Sequence, residues 1–247
     1  MNSIKNYRNF LKAGPWEKWS ELETDQKKGI PRPPFEKPYP KDAKLIDLIQ
    51  YDNFAIGDVS LKGIIKKRRS RRKYAEDSFD IEELSFLLWA TQGITGNSPY
   101  FRASPSAGAR HPFETYLFIE KVKGLNKGVY RYLPIEHKLL FLRYEEDVQR
   151  KLIDACLGQT FVGEAPIVFV WTVIPHRTEW RYSILSHKVI AIDAGHVCQN
   201  LYLAAEAIGA GTCGVGAYNQ EKIDKLLKVD GDEEFTIYIA PVGKIKV

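Results

Sequence analysis

Apolar residues recur along this chain with two periods, separated by loops rich in Gly, Pro and Ser. Leu61, Ile64, Ile65 and Arg68 follow i, i+3, i+4, i+7, which predicts a short helix whose buried face ends on an arginine. A second helix is expected to start with Asp80 as N-cap and Glu83 three positions on, a capping-box variant, followed by Leu84, Leu87 and Leu88. The alternation in "ETYLFIE" predicts a strand, and "GVYRYLPIEHKLLFLRY" predicts two strands joined by a turn at 134–137. A helix around 145–157 precedes "APIVFVWTV", an almost wholly apolar run that fits a strand buried on both faces. Residues 187–208 predict a long helix with Ala191, Ala194, Gly195, Ala204 and Ala205 turned to the core, and Gly209 as its C-cap. "EFTIYIAPVG" predicts a last central strand. The fold class is α+β, a mainly antiparallel sheet flanked by helices.

Residues 1–57 break this pattern. They are rich in Pro, Trp and Lys ("PWEKW", "GIPRPPFEKPYPKD"), so an extended arm that packs on something else is expected, with the regular domain at 58–247. At 247 residues and 44% hydrophobic composition, the chain can bury a proper core. The first residues have no apolar core before their charged and aromatic positions, and no apolar run reaches the ~18 residues of a membrane span. No membrane partner and a cytoplasmic address are therefore expected. Cys156, Cys198 and Cys213 match neither a disulfide framework nor a zinc set and are expected as free, mostly buried thiols.

Charge sharpens the picture at one place. The net charge is +5, and residues 66–73 ("KKRRSRRK") carry seven positive charges, so the remainder is slightly negative. A nucleic-acid surface more often spreads its basic residues over a whole face. A concentrated cluster suits a compact anion, with a solvated surface run as the plain alternative. "RRSRR" places Arg68, Arg69, Ser70 and Arg72 around one turn, a set of donors suited to a phosphate and a polyol. "SPSAGARHP" is a loop of small residues between prolines, able to offer backbone N–H groups to the edge of a planar heterocycle.

Other chemistries lack an anchor. "GAGTCG" satisfies G-x-G-x-x-G, but it follows a helix, whereas the dinucleotide fingerprint follows a strand and opens a helix. His187 and His196 are nine apart, about half a turn around a helix, so they share no face for a metal. Asp193 and His196 are spaced for a hydrogen-bonded pair, and no metal site is expected. No G-x-S-x-G nucleophile elbow occurs.

The motifs "RRSRRKY", "PSAGARHPFETYLFI", "DAGHVCQNLYLAAEAIGAGTCGVGAY" and "YIAPVGK" together resemble the FMN-dependent nitroreductase superfamily, and within it the SagB-type dehydrogenase branch. The resemblance covers about 60–247, and more loosely the arm. It implies a nitroreductase-like homodimer with flavin at the subunit interface, FMN as cofactor and NAD(P)H as electron donor. Arg68, Arg69, Ser70 and Arg72 would match the binders of the FMN phosphate and ribityl chain, with Lys244 as a further phosphate partner. Pro105, Ser106, Ala107, Gly108 and Arg110 would match the loop at the flavin pyrimidine edge. Gly214, Val215, Gly216 and Ala217 would match the segment against the isoalloxazine ring.

Two departures accompany the resemblance. Many nitroreductases carry Asn where Ala109 stands, which leaves pyrimidine recognition to the backbone or Arg110. Azoline dehydrogenases of the branch carry a Lys-Tyr pair whose nearest match here is Arg181 and Tyr182, and arginine is a poor general base. The resemblance therefore implies ping-pong transfer of hydride from NAD(P)H to a small electron acceptor such as a nitroaromatic or quinone. Tyr182 is then expected either as a substrate-facing donor or as an interface packing residue. The alternatives are a peptide azoline dehydrogenase working with partner proteins, a flavin carrier without turnover, and a basic nucleic-acid-binding module.

Overall fold

The structure is a computed structural model and describes residues 4–246. Its strands are β1 (Leu45–Asp47), β2 (Phe113–Ile119), β3 (Gly128–Leu133), β4 (Lys138–Arg143), β5 (Ile167–Val173), β6 (Ala210–Thr212) and β7 (Phe235–Lys244). They form one seven-stranded sheet in the order β1-β4-β3-β2-β5-β7-β6, with every neighbouring pair antiparallel. The helices are α1 (Ile4–Arg8), α2 (Leu61–Lys67), α3 (Ile81–Gln92), α4 (Val148–Ala155), α5 (Thr160–Gly163), α6 (His176–Tyr182), α7 (Ser186–Ala207) and α8 (Gln220–Leu227).

The central strands are buried along their whole length because both faces of the sheet are covered. Leu117, Ile167, Phe169 and Trp171 pack with Leu84, Leu87 and Leu88 of α3 and with Val197, Cys198 and Leu201 of α7. The alternate residues Tyr116, Phe118, Val168 and Val170 pack with Leu152 of α4 and with Ile223 and Leu227 of α8. Asp80 and Glu83 make the full reciprocal capping box at the start of α3. The β3–β4 turn closes at His137, which adopts a left-handed conformation (φ 50°). Gly209 follows the end of α7 at φ 68°, as a helix-terminating glycine does.

Two expectations are corrected below. The arm packs on the domain, and its β1 pairs with β4 as the edge strand of the same sheet. Buried charge fastens it further. Glu114 pairs with Arg177 at 2.5 Å and accepts the Lys37 N–H, while Arg131 Nη2 donates to the carbonyls of Lys37 and Pro38. A charge taken out of water this completely must be paired, so residues 37 and 38 are held by the core itself.

The stripe on α2 does not face inward as the spacing suggested. Ile64 is half-buried, while Leu61 and Ile65 are 61% and 59% exposed. The helix is only two turns long and rests on α7 along one narrow edge, so its other apolar side stays open. On α7, Ala194, Ala204 and Ala205 are buried, but Ala191 and Gly195 face outward, and a Cβ added at Gly195 would meet nothing within 4 Å. The small residues thus serve both sides of the helix, because 191 and 195 are spaced i, i+4 on the face opposite the core.

Candidate active site

The basic cluster emerges where α2 ends. Arg69 Nη1 donates to the carbonyls of Lys66 and Arg68 and so caps the helix, while Arg68 lies 5.3 Å over the ring of Tyr202 on α7. Ser70 bridges to Thr212 of β6, which ties the segment to the sheet edge. Among the described residues, Arg68, Arg69 and Arg72 form no ion pair with a carboxylate. Their charge is left unneutralised at the protein surface.

Tyr202 joins this cluster to the second expected segment. Its hydroxyl shares a 3.2 Å hydrogen bond with Ser70 Oγ and accepts the Gly214 N–H at 2.7 Å. The Val215 N–H goes to the Ile239 carbonyl at 2.7 Å. Gly216 stays open: nothing in the chain lies within 4 Å of a Cβ built there. Val215 is buried and Ala217 exposed, so the chain presents residues 216 and 217 outward from a rigid base.

The loop 104–112 is held from the other end of α7. Asp193 accepts from Ser106 Oγ at 2.7 Å and from the Ala107 N–H at 3.0 Å, and Ser106 Oγ in turn accepts the His111 N–H. The anticipated Asp193–His196 pair is not made, because both carboxylate oxygens are engaged by the loop and His196 is exposed. Burial holds the Asp193 carboxyl above its ordinary range despite those bonds. Gly108, Ala109 and His111 all have positive φ (58°, 51° and 48°), a strained run that persists because Asp193 and Ser106 fix both sides of it. Pro105 is exposed beside it.

Arg110 is 5% exposed, donates from Nε to the Gly108 carbonyl, and lies 5.1 Å over the Trp180 ring. Arg181 and Tyr182, at the end of α6, press on Gly108, where any Cβ would collide with the Tyr182 hydroxyl. The arm closes over this corner. Trp16 meets the Tyr182 ring edge-on at 5.6 Å and Trp19 lies 6.4 Å away, while Trp180 Nε1 donates to the Ile30 carbonyl.

Lys244, expected as a phosphate partner, has partners within the fold. Its ammonium pairs with Glu83 and reaches the Ile208 carbonyl, so it links the start of α3 to the end of α7. The three thiols are free and buried; burial pushes Cys156 and Cys198 up to about 12, which leaves both as inert thiols. Among the described residues, no cluster of His, Cys, Asp or Glu could hold a metal, and no helix is long and apolar enough to cross a membrane.

Asp193, Tyr202, Trp16 and Trp19 were absent from the residues the sequence singled out for the site. The signal for the first was a carboxylate between the small residues Ala191, Ala194 and Gly195, and nothing in the sequence set the second apart. For the tryptophans, nothing in the sequence marked where the arm would land.

An antiparallel sheet buried between helices, with an unneutralised arginine cluster tied through one tyrosine to a glycine-rich loop, defines a class, and the comparison with known families agrees. The chain belongs to the nitroreductase family, whose model matches residues 65–244. It is 35% identical over 189 residues to a protein of Methanocaldococcus jannaschii provisionally named nitroreductase MJ1384, covering 76% of this chain and 93% of that one. A crystal structure from Anabaena variabilis, provisionally described as a nitroreductase, is 26% identical with a TM-score of 0.69; it covers 83% of this chain, which spans 42% of that one. A chain of the E. coli microcin synthetase McbBCD complex shares the fold over 98% of this chain and 91% of its own, with a TM-score of 0.62 at 18% identity.

Proposed function

We propose that this protein is an FMN-dependent oxidoreductase that uses NAD(P)H to reduce a small electrophile such as a nitroaromatic or quinone, working in the cytoplasm as a homodimer. The observation that carries the reading is the Tyr202 hydroxyl, which fastens Ser70 and the Gly214 N–H to one point and so sets a phosphate-binding turn beside a ring-facing loop. The residues present fit FMN: among the described residues, Arg68, Arg69 and Arg72 pair with no carboxylate and can receive its phosphate. Gly216 leaves room for a flat ring to approach the backbone. FMN, when bound, supplies the two-electron chemistry between donor and acceptor.

The chain's own residues position and polarise. Arg68, Arg69, Ser70 and Arg72 hold the phosphate and polyol. Residues 214, 215, 216 and 217 form the surface for the ring, and the loop of Pro105, Ser106, Ala107, Gly108 and Arg110 meets the ring's polar edge. Arg110 places positive charge there, and Tyr182 offers a hydroxyl toward the acceptor. Lys244, paired with Glu83, stands as a further phosphate partner.

Helix geometry supports the homodimer. Asp193 holds the pyrimidine-side loop and Tyr202 the phosphate-side cluster; nine residues at ~100° each put them on opposite faces of α7. One planar cofactor that needs both segments then takes one from each of two copies. The exposed Ala191, Gly195 and Ile192 on α7, with Leu61 and Ile65 on α2, supply an apolar face for that contact.

The test is an anaerobic absorption spectrum of the purified protein as NADPH or NADH is added. Flavin bands that bleach are expected. A colourless protein that also fails to take up added FMN overturns the reading and returns the basic cluster to a nucleic-acid surface.

A second reading, oxidation of azolines in a peptide with partner proteins, is favoured by Tyr182 standing against the active-site loop at Gly108. Its neighbour Arg181 lacks the proton-accepting ability of a lysine. Oxidation of a thiazoline peptide without NAD(P)H would establish it over the first.

A further inference from the structure

Two apolar surfaces of this chain lie open, and they sit toward opposite ends of α7. The first is carried by residues 4–11, where α1 passes into a 3-10 turn at Asn9–Leu11. Ile4, Tyr7 and Leu11 are 72%, 71% and 71% exposed, and Phe10 is more than half exposed. Their i, i+3, i+7 spacing gathers the first three within about 60° of one another around a helix. The root of the segment is fixed. Lys188, near the start of α7, donates to the Leu11 carbonyl, and a Cβ at Gly14 would touch the Leu185 side chain. The arm thus holds an apolar stripe in water, which costs ordering entropy and, in a single chain, buries nothing in return.

The second surface is a groove of about 360 Å³ between α2, α3 and the last turns of α7. Gly57, Ile64, Phe86, Trp89, Leu203 and Ala207 line it. The amide of Asn200, also in the wall, is already spent on the Ala90 and Ala103 carbonyls, so the lining offers chiefly apolar surface. Ile64 continues along α2 into the exposed Leu61 and Ile65, which the homodimer reading places at the contact between copies.

Helix length decides whose arm can fill the groove. Lys188 and Ala207 stand ~28 Å apart along α7, whereas residues 4–11 span only ~12 Å as a helix. The arm as folded cannot reach the groove of its own copy. A pairing that sets the Asp193 end of α7 against Tyr202 of the partner subunit runs the two helices antiparallel, and Lys188 then comes opposite Ala207 of the partner subunit. We propose that residues 4–11 of each copy dock in the α2–α3–α7 groove of the other, so that the two arms are exchanged across the dimer. This rests on the homodimer reading and deepens it. The docked arm covers Ile64 and so steadies α2 just ahead of Arg68 and Arg69.

The experiment uses the full chain carrying Tyr7→Cys together with Ala207→Cys, oxidised with copper phenanthroline in air and run on a denaturing gel without reductant. Cys156, Cys198 and Cys213 are buried, so the introduced pair reacts first. A bridge between copies is expected, seen as a band at twice the chain mass that neither single variant gives. A bridge within one chain, read as thiols lost without a change of mass, overturns the exchange, as does the absence of any bridge in a protein that light scattering shows to be a dimer. A second variant, Ile4→Ser with Tyr7→Ser and Leu11→Ser, changes only side chains that stand mostly in solvent in the single chain, so its fold should hold. Its dimer dissociation constant, read by light scattering on dilution, is expected to rise at least about tenfold. The two readings fail separately. A dimer whose constant the serines leave unchanged removes the exchange and keeps the homodimer; a chain that is monomeric at every concentration with its arm intact removes the homodimer itself.

Discussion

Asp193 and Tyr202 are nine residues apart on α7 and hold different loops on its opposite faces. The separation along the axis is ~13.5 Å and the rotation about half a turn. One helix therefore sets the spacing between the segment that suits a phosphate and the segment that suits a ring edge. Changes in either anchor are expected to act on binding through a displaced loop, with modest effects on the fold.

Tyr202→Phe removes one hydroxyl that bonds both Ser70 and the Gly214 N–H. The stability cost is expected near 1 kcal/mol, because Ser70 is exposed and can turn to water while the Gly214 amide loses its acceptor. FMN affinity is expected to fall about tenfold, as two loops lose their common tether. Fluorescence titration with FMN and a thermal melt measure the two effects separately.

Gly216→Val places a side chain where the chain itself has open space, so the melting temperature of the cofactor-free protein should change little. FMN binding should weaken by at least tenfold if a flat ring lies against that backbone, since a β-branched side chain keeps it at a distance. Unchanged FMN affinity in a folded Gly216→Val protein would remove the loop from the cofactor site.

Gly195→Leu tests the pairing of two copies. The position is exposed and uncrowded, and leucine is a better helix former than glycine, so the isolated chain should be stabilised by up to about 1 kcal/mol. Two helices that approach closely at Gly195 would be forced apart. Light scattering is expected to show a shift from dimer to monomer, with loss of bound flavin in parallel.

Glu36 makes the attachment of the arm pH-dependent. Burial, then the nearby Glu136 and Glu114 carboxylates, raise it from 4.5 to about 8, against a hydrogen bond from the Ile135 N–H; Arg102 also lies within its field. A folded-state value above the unfolded one means that this contribution is fully present below about pH 4.5 and is lost as pH rises through about 8. Glu36→Gln is expected to stabilise the protein above pH ~8.5 by on the order of 1 kcal/mol, discounted for its partial exposure, and to make no difference at acid pH. Urea unfolding across that range, with proteolysis of the arm as a second readout, checks the sign.

The sequence by itself determined the α+β class, the strand runs, the capping box at Asp80 and the position of the long helix, because these depend on local periodicity and on backbone groups a few residues apart. It also marked Arg68, Ser70 and Arg72 and the loop at 104–112 as places for an anion and a planar ring, since charge density and small residues are visible without a fold. Tertiary structure alone decided which groups meet. Asp193 turns to Ser106 rather than to His196, Lys244 turns to Glu83, and Ala191 and Gly195 face outward. The same holds for Trp16 against Tyr182. A side chain's partner is set by which elements the core packs together, and that depends on contacts between distant residues that no local pattern encodes.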